Sequence, residues 1–454
     1  MQVLVRHWSR TAAVAIAASA AFALAGCSSP AASSSGSTSA SETSAGGGQI
    51  AGGKISVWFP GTDPTEMALV TKTIVPAFEK ETGAHVDVTY VDWTDMSTKL
   101  NAAFAAGTAP DVFGHGPAAV ADFVTNKRIE PLTKYIDQLD KKDLADMSTA
   151  LQGGQVNGVQ YLVPLSMTGN LIMYNAADFT AAGLNPDKPP TTWQGVYDAA
   201  KKLTKRDASG AITRSGLLLP SQAIGRQQTF ATLLLSDGGT QLNDKQSAAG
   251  FDSKQGVAAL DYFTSLFNGP DAVSASLGAN YINAPTAQQA IVLDTAAMEM
   301  QTPNGMQQIV AANPKLDLRV MAPPKFEGAD KGYALGGSGP GLMINADSKQ
   351  KTLAWKFIQY MIAPATSVQY TQGIGAVPPR ASAAESPYVK SSPILKAFVN
   401  AAPQFVPNPN VPGWVQIRDT MDKYLEQALN KKLSSQDALS QAAAAVDKII
   451  KANP

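Results

Sequence analysis

Between Lys54 and Phe113 the sequence alternates strand and helix, and this restricts the fold more than any other feature. Lys54-Ile55-Ser56-Val57-Trp58-Phe59 reads as a strand. Residues 66–80 place Leu69, Val70, Ile74 and Phe78 at helical spacing, with Gly83 as the stop. Residues 86–91 alternate as a second strand, residues 93–106 form a second helix closed by Gly107, and Asp111-Val112-Phe113 is a short third strand. A β-α-β-α-β order predicts parallel strands with right-handed crossovers, hence an α/β fold. In such sheets ligands sit beyond the carboxyl ends of the strands. The segments after Phe59 and Phe113 are therefore candidate sites.

Further helices are expected downstream. Thr192 suits the N-cap of residues 193–203, after Pro189-Pro190. Residues 255–267, 350–362, 415–429 and 437–450 are amphipathic, the last opened by the capping pattern Ser434-Ser435-Gln436-Asp437. Gly- and Pro-rich breaks fall at 336–341 and 377–380. A chain of 454 residues is long enough for two or three domains.

The first fifty residues stand apart from this pattern. Arg6, His7 and Arg10 precede an uncharged, Ala-rich apolar run over 11–24, long enough for a signal sequence and short for a membrane span. Leu24-Ala25-Gly26-Cys27 follows and looks like a bacterial lipobox, in which Cys27 is lipidated. Residues 1–26 thus read as a lipoprotein signal peptide. Residues 27–49, rich in Ser, Ala, Gly and Thr, read as a disordered tether. Cys27 is the sole cysteine, which excludes intrachain disulfides and Cys-based metal sites.

Charge and motifs exclude other classes. Lys+Arg and Asp+Glu each total 36; loss of the two leader arginines leaves a net charge of −2. That is no footprint for nucleic acid. Phosphate-loop, zinc-protease and nucleophile-elbow motifs are missing. Only His85 and His115 remain after the leader, so no catalytic residue, metal or cofactor is assigned; His85, before a strand, reads as structural.

Ile55-Ser56-Val57-Trp58, residues 77–83, residues 105–112, Leu162-Val163-Pro164, Met173-Tyr174-Asn175, Pro190-Thr191-Thr192-Trp193 and residues 375–380 occur in an order that resembles the extracellular solute-binding proteins of ABC importers, the class that includes maltose-binding protein. The resemblance spans nearly the whole chain after the leader. It implies a type II periplasmic-binding-protein fold: two α/β lobes joined by a hinge, with a ligand cleft between them. Lobe one would comprise 54–165 and 341–392, lobe two 166–338 and 393–454. Crossings would lie near Leu165-Ser166, Gly337-Ser338 and Ser391-Ser392-Pro393. The protein would be a monomer held outside the cytoplasm on the cell membrane through Cys27, handing a mono- or oligosaccharide to ABC permease subunits.

Site residues follow from the resemblance one by one. Asp63 comes after the first strand, where relatives place an acidic sugar contact. Trp58, within that strand, fits a cleft or a core role. His115 lies in the loop after the third strand; Asp111 reads as a structural strand-end residue. Ser166 and Thr168 follow the first crossing, with Thr168 where maltose-binding protein has a carboxylate. Gln222 and Asn304 stand where relatives carry aromatics. Gly337 and Ser338 are expected in a backbone-exposing loop. Trp414 matches a sugar-stacking aromatic, with packing inside lobe two as the competing reading. These residue types suit a neutral polyol, whose hydroxyls pair with Asp, Asn, Gln and Ser and whose ring faces stack on Trp. A phosphorylated polyol would want cations in the cleft; only Arg226 and Arg380 stand near candidate loops, and Arg380 reads as structural. A secreted hydrolase is the remaining alternative.

Overall fold

The structure, a computed structural model, describes residues 52–282 and 284–453. The expected signal peptide, Cys27 and the expected tether lie outside the described residues. Strand Lys54–Pro60 pairs in parallel with His85–Val91 on one side and Val112–His115 on the other. Gly341–Ile344 then runs antiparallel to the third strand, and Val163–Pro164 closes this five-stranded sheet. The expected parallel order is present, and two later segments extend it.

Period-two patterning explains how this sheet buries both faces. Ile55, Val57 and Phe59 point into one core with Phe78, Ile344 and Phe357. Phe113 and Met343 point into another with Phe104 and Phe123, and half-buried Trp58 packs there too. Trp58 is therefore a packing residue of the sheet's second face. Asp111 is structural as read: its carboxylate accepts from Ser56 N (2.9 Å) and Ser348 Oγ (2.6 Å), tying strand ends together.

A second assembly surrounds strand Leu171–Asn175, which pairs antiparallel with Met298–Gln301 and Leu318–Val320. Ile172 and Tyr174 face the largest core, shared with Trp193, Phe230, Phe263, Met421 and Leu439 on its helices. Leu171 and Met173 face Met306, Ile309, Leu395 and Phe398. Thr192 caps Trp193–Leu203 through Gly195 N, and Ser434 caps Ser435–Ala452 through Asp437 N, as the capping patterns predict.

Two arginines are used up inside the fold. The Arg226 guanidinium meets the Asp422 carboxylate at 2.6 and 3.2 Å and locks Gly225–Ser236 to Trp414–Leu429. Arg380 donates to Ile362 O at 2.7 Å and pairs with Asp143 at 2.7 Å. Removing one partner of the buried Arg226–Asp422 pair costs about 3–5 kcal/mol. Among the described residues no helix is long and apolar enough to cross a membrane.

A small third sheet corrects one expectation. Gly337 and Ser338 are not in a loop: Ala334–Ser338 is a strand, antiparallel to Met167–Gly169 and parallel to Phe405–Val406. Its glycines serve close approach, since a side chain on Gly336 would stand 2.6 Å from the Phe405 ring and 2.8 Å from Gly169 Cα.

Candidate functional site

The carboxyl ends of the parallel strands open onto two adjoining cavities that share Pro340. The first, about 140 Å³, is lined by Phe59 and Pro60 at the end of the first strand, with Glu66, Trp93, Ser166 and Tyr370. The second, about 240 Å³, lies between Pro117-Ala118 on one side and Thr168, Asn170, Gln228, Thr302 and Asn408 on the other, with Ser338 in its wall.

Trp93 dominates the first cavity. It opens helix Trp93–Ala106 just past the second strand and is itself 45% exposed. Gly61 makes room for it: with φ of +99°, any side chain there would stand 3.2 Å from the Trp93 indole nitrogen. An exposed indole in a concave site offers a face to an apolar surface at low conformational cost.

Glu66 supplies the only charge among the lining residues of the two cavities. Its Oε1 accepts from the Tyr370 hydroxyl at 2.7 Å. Burial raises its pKa, the Tyr370 hydrogen bond opposes this, and the nearby Asp63 charge adds to it. Asp63 itself is committed elsewhere: its Oδ1 caps the helix at Pro64, accepting from Thr65 N (2.9 Å) and Glu66 N (2.8 Å). The carboxylate facing the cavity is thus three residues beyond the expected one.

His115 lines neither cavity. Its ring sits edge-on to Trp93, centroids 5.9 Å apart, and to Phe123 at 5.6 Å. Its Nε2 is 3.2 Å from Ser97 Oγ, and Gly116 N–H donates to Nδ1 at 2.9 Å. Burial lowers the His115 pKa, so the ring is a neutral brace behind Trp93.

The remaining expectations divide. Ser166, Thr168 and Ser338 line the cavities. Gly337, Gln222 and Asn304 do not; Gln222 has a buried Oε1 without a protein partner, beside Gly225. Trp414 heads its helix as expected, but its side chain is 0% exposed in the largest core. The preceding Gly413, at φ +72° and with its N–H on Asp122 Oδ1 at 2.9 Å, starts the helix so that Trp414 joins the stripe of Ile417, Met421 and Leu425. It presents no face to a ligand here, so the packing reading replaces the stacking one.

Trp93, Glu66, Tyr370, Asn170, Gln228, Thr302 and Asn408 were not anticipated. Trp93 had a signal, since the carboxyl-end rule applies to Val91 as much as to Phe59 and Phe113. Gln228, Thr302 and Asn408 had none, being brought together only by packing of distant elements.

A family profile described as bacterial extracellular solute-binding protein matches residues 61–367. A protein of Brucella abortus (strain 2308), named only as a binding protein, is 24% identical over 377 residues, covering 83% of this chain and 88% of its own. Among solved structures, the cyclic α-maltosyl-1,6-maltose binding protein of Arthrobacter globiformis superposes with a TM-score of 0.75 at 24% identity, over 88% of this chain and 99% of the other. The sugar-binding protein MalE of Xanthomonas citri gives 0.76 at 22% identity, over 88% and 98%. At these identities the likeness establishes the fold, that of type II periplasmic binding proteins. The profile match spans most of the chain, and the protein belongs to the bacterial extracellular solute-binding family.

Proposed function

We propose that this protein is the extracytoplasmic substrate-binding subunit of an ABC-type sugar importer, closing on a neutral sugar and delivering it to the membrane permease. The observation that carries the sugar reading is the lining of the two cavities: an indole, prolines, hydroxyls and amides, with one carboxyl and no Lys or Arg. A phosphorylated ligand needs fixed cations. The two arginines that stood near the site are held in ion pairs, Arg226 in a buried one with Asp422 and Arg380 with Asp143 and Asp146. The names of the structural neighbours, a maltosyl-maltose binder and a sugar-binding protein, agree with this reading.

In this account the chain binds and does not catalyse. Lipidation of Cys27, a tether to residue 49 and a monomer complete the picture. The proposed lobes are 54–165 with 341–392 and 166–338 with 393–454. Val377, Val389 and Ile394 share a core with Met173 and Ile309, which favours a third crossing between Tyr370 and Val377 over one at Ser391–Pro393.

A thermal-shift screen tests the function. Ligand that binds only the folded state stabilises it by about 2.7 kcal/mol at a hundredfold excess over Kd. Neutral mono- or oligosaccharides are expected to raise Tm, and glycerol 3-phosphate to leave it unchanged. A shift with the phosphate and with no sugar would overturn the proposal.

A further inference from the structure

The first cavity joins aromatic side chains to a single negative charge. Phe59, Trp93 and Tyr370 line it, and Glu66 reaches the same space of about 140 Å³. The four residues come from four elements: strand Lys54–Pro60 and helices Pro64–Leu69, Trp93–Ala106 and Pro364–Gly373. Besides the Tyr370 hydroxyl, Ser166 supplies the one further hydroxyl of the lining.

Nothing positive in the protein answers that charge. Among the described residues, the groups that act on the Glu66 carboxyl are the Tyr370 hydroxyl, which donates to it at 2.7 Å, and Asp63, whose charge opposes its ionisation. Asp63 accepts from two backbone N–H groups, which leaves its own charge in place. His115, edge-on behind Trp93, is kept neutral by burial. A carboxylate stripped of water without a counter-charge is costly. A neutral sugar entering this cavity replaces that water with a hydroxyl. An ammonium replaces it with the opposite charge and also draws on the electron-rich face of an indole. A bare quaternary ammonium would leave Ser166 unused, along with the hydroxyls and amides of Thr168, Asn170, Gln228 and Asn408 in the adjoining cavity. A ligand with an ammonium set among hydroxyls uses both kinds of lining.

We infer that the first cavity is an ammonium subsite and that the protein takes amino sugars, with the protonated amine between Glu66 and the Trp93 indole. This rests on the sugar reading above and extends the ligand class from neutral to cationic sugars. Affinity then follows charge, the amine above its parent sugar and the parent above its phosphate ester.

Calorimetric titration of the full chain at about pH 6, below the range in which an amine loses its proton, tests this with matched pairs. These are glucose and glucosamine, galactose and galactosamine, mannose and mannosamine, and cellotriose and fully deacetylated chitotriose, beside N-acetylglucosamine and choline. In at least one pair the amine is expected to bind about tenfold tighter than its parent, the gap between a charge-assisted and a neutral hydrogen bond. N-acetylglucosamine, whose nitrogen is a neutral amide, should lose that gain, and choline should bind more weakly than the amine. Glu66→Gln keeps an acceptor for Tyr370 and removes the charge. It should weaken both members of a pair and bring their ratio to about one, and an unliganded Tm no lower than wild type shows that it folds. Trp93→Leu, at an exposed position, should lower the same ratio roughly 2- to 5-fold. Neutral sugars that bind while every amine binds no tighter would overturn the inference and leave the sugar reading standing. An amine advantage that survives both substitutions, or choline bound more tightly than every amino sugar, would also overturn it. Binding of no sugar, neutral or amino, would overturn both.

Discussion

Two regions of this protein use the same pair of residue types in opposite ways. The cleft holds Trp93 and Glu66; the large helical core holds Trp414, and Glu299 lies buried on the strand Met298–Gln301, on the face opposite to the Met298 and Met300 side chains that enter that core. Both tryptophans are the first residue of a helix. Trp93 stays 45% exposed because it follows a strand end that opens on the cleft, whereas Trp414 is 0% exposed because its helix packs along its whole apolar stripe. Both glutamates have raised pKa values, in each case first because of burial. Glu66 still faces a cavity and takes the Tyr370 hydroxyl, while Glu299 is 0% exposed on strand Met298–Gln301, its Oε1 unpartnered and its Oε2 3.3 Å from Ile291 N. Helix position and residue type therefore do not mark a ligand contact. What separates them is where the side chain goes: Trp93 and Glu66 reach the cavity wall, and Trp414 joins the apolar stripe of its helix.

The largest expected effect separates the tryptophans. Trp414→Ala should cost about 3–5 kcal/mol of stability, read from urea unfolding, with ligand affinity retained in the protein that remains folded. Trp414→Phe should cost much less, because the buried Nε1 has no partner to lose. Full stability of the alanine variant with lost binding would restore the stacking role to Trp414.

The glutamates come next, through pH. Glu299 is pushed up to about 7, above its ordinary value near 4.5. A carboxyl with a raised native pKa binds protons more readily folded than unfolded between those two values. Stability should therefore fall as pH rises from about 4.5 through 7, by on the order of a few kcal/mol, and level off above. Glu299→Gln should flatten that slope. A slope unchanged by the substitution would show that another group causes it.

The smallest of the three is a binding effect. Trp93→Ala removes an exposed side chain, so the unliganded Tm should barely move. Sugar affinity should drop by the roughly 1–3 kcal/mol of a buried aromatic contact, about 5- to 150-fold. Sugar added to the wild type should change tryptophan emission, and the variant should lose most of that change. An unaltered affinity would remove Trp93 from the site.

Most of the first sheet was legible because its strands and helices are local and regularly patterned: helix Trp93–Ala106 runs over the residues read for it, and Thr192 caps where a cap was read. Helix Gly225–Ser236 was not, since Arg226, Gln227, Thr229 and Thr232 are buried alongside its leucines, and a helix wrapped on all sides has no apolar stripe to read. Glycines at 336–337 suggested a loop, yet they mark a strand crowded by Phe405. The cleft was half legible for a related reason. Ser166 and Thr168 follow a crossing visible in sequence, whereas Gln228, Thr302 and Asn408 converge from elements far apart in the chain.

The central claim is that the cleft holds a neutral sugar by stacking and hydroxyl pairing, with no cation to receive an anion. Calorimetric titration of the wild type with a sugar that binds, and with the same sugar as its phosphate monoester, tests it most directly. The account predicts that the neutral sugar binds at least tenfold tighter, a difference of about 1.4 kcal/mol or more, because the phosphate is desolvated against Glu66 without a partner. A phosphate ester that binds tighter than its parent sugar would contradict it.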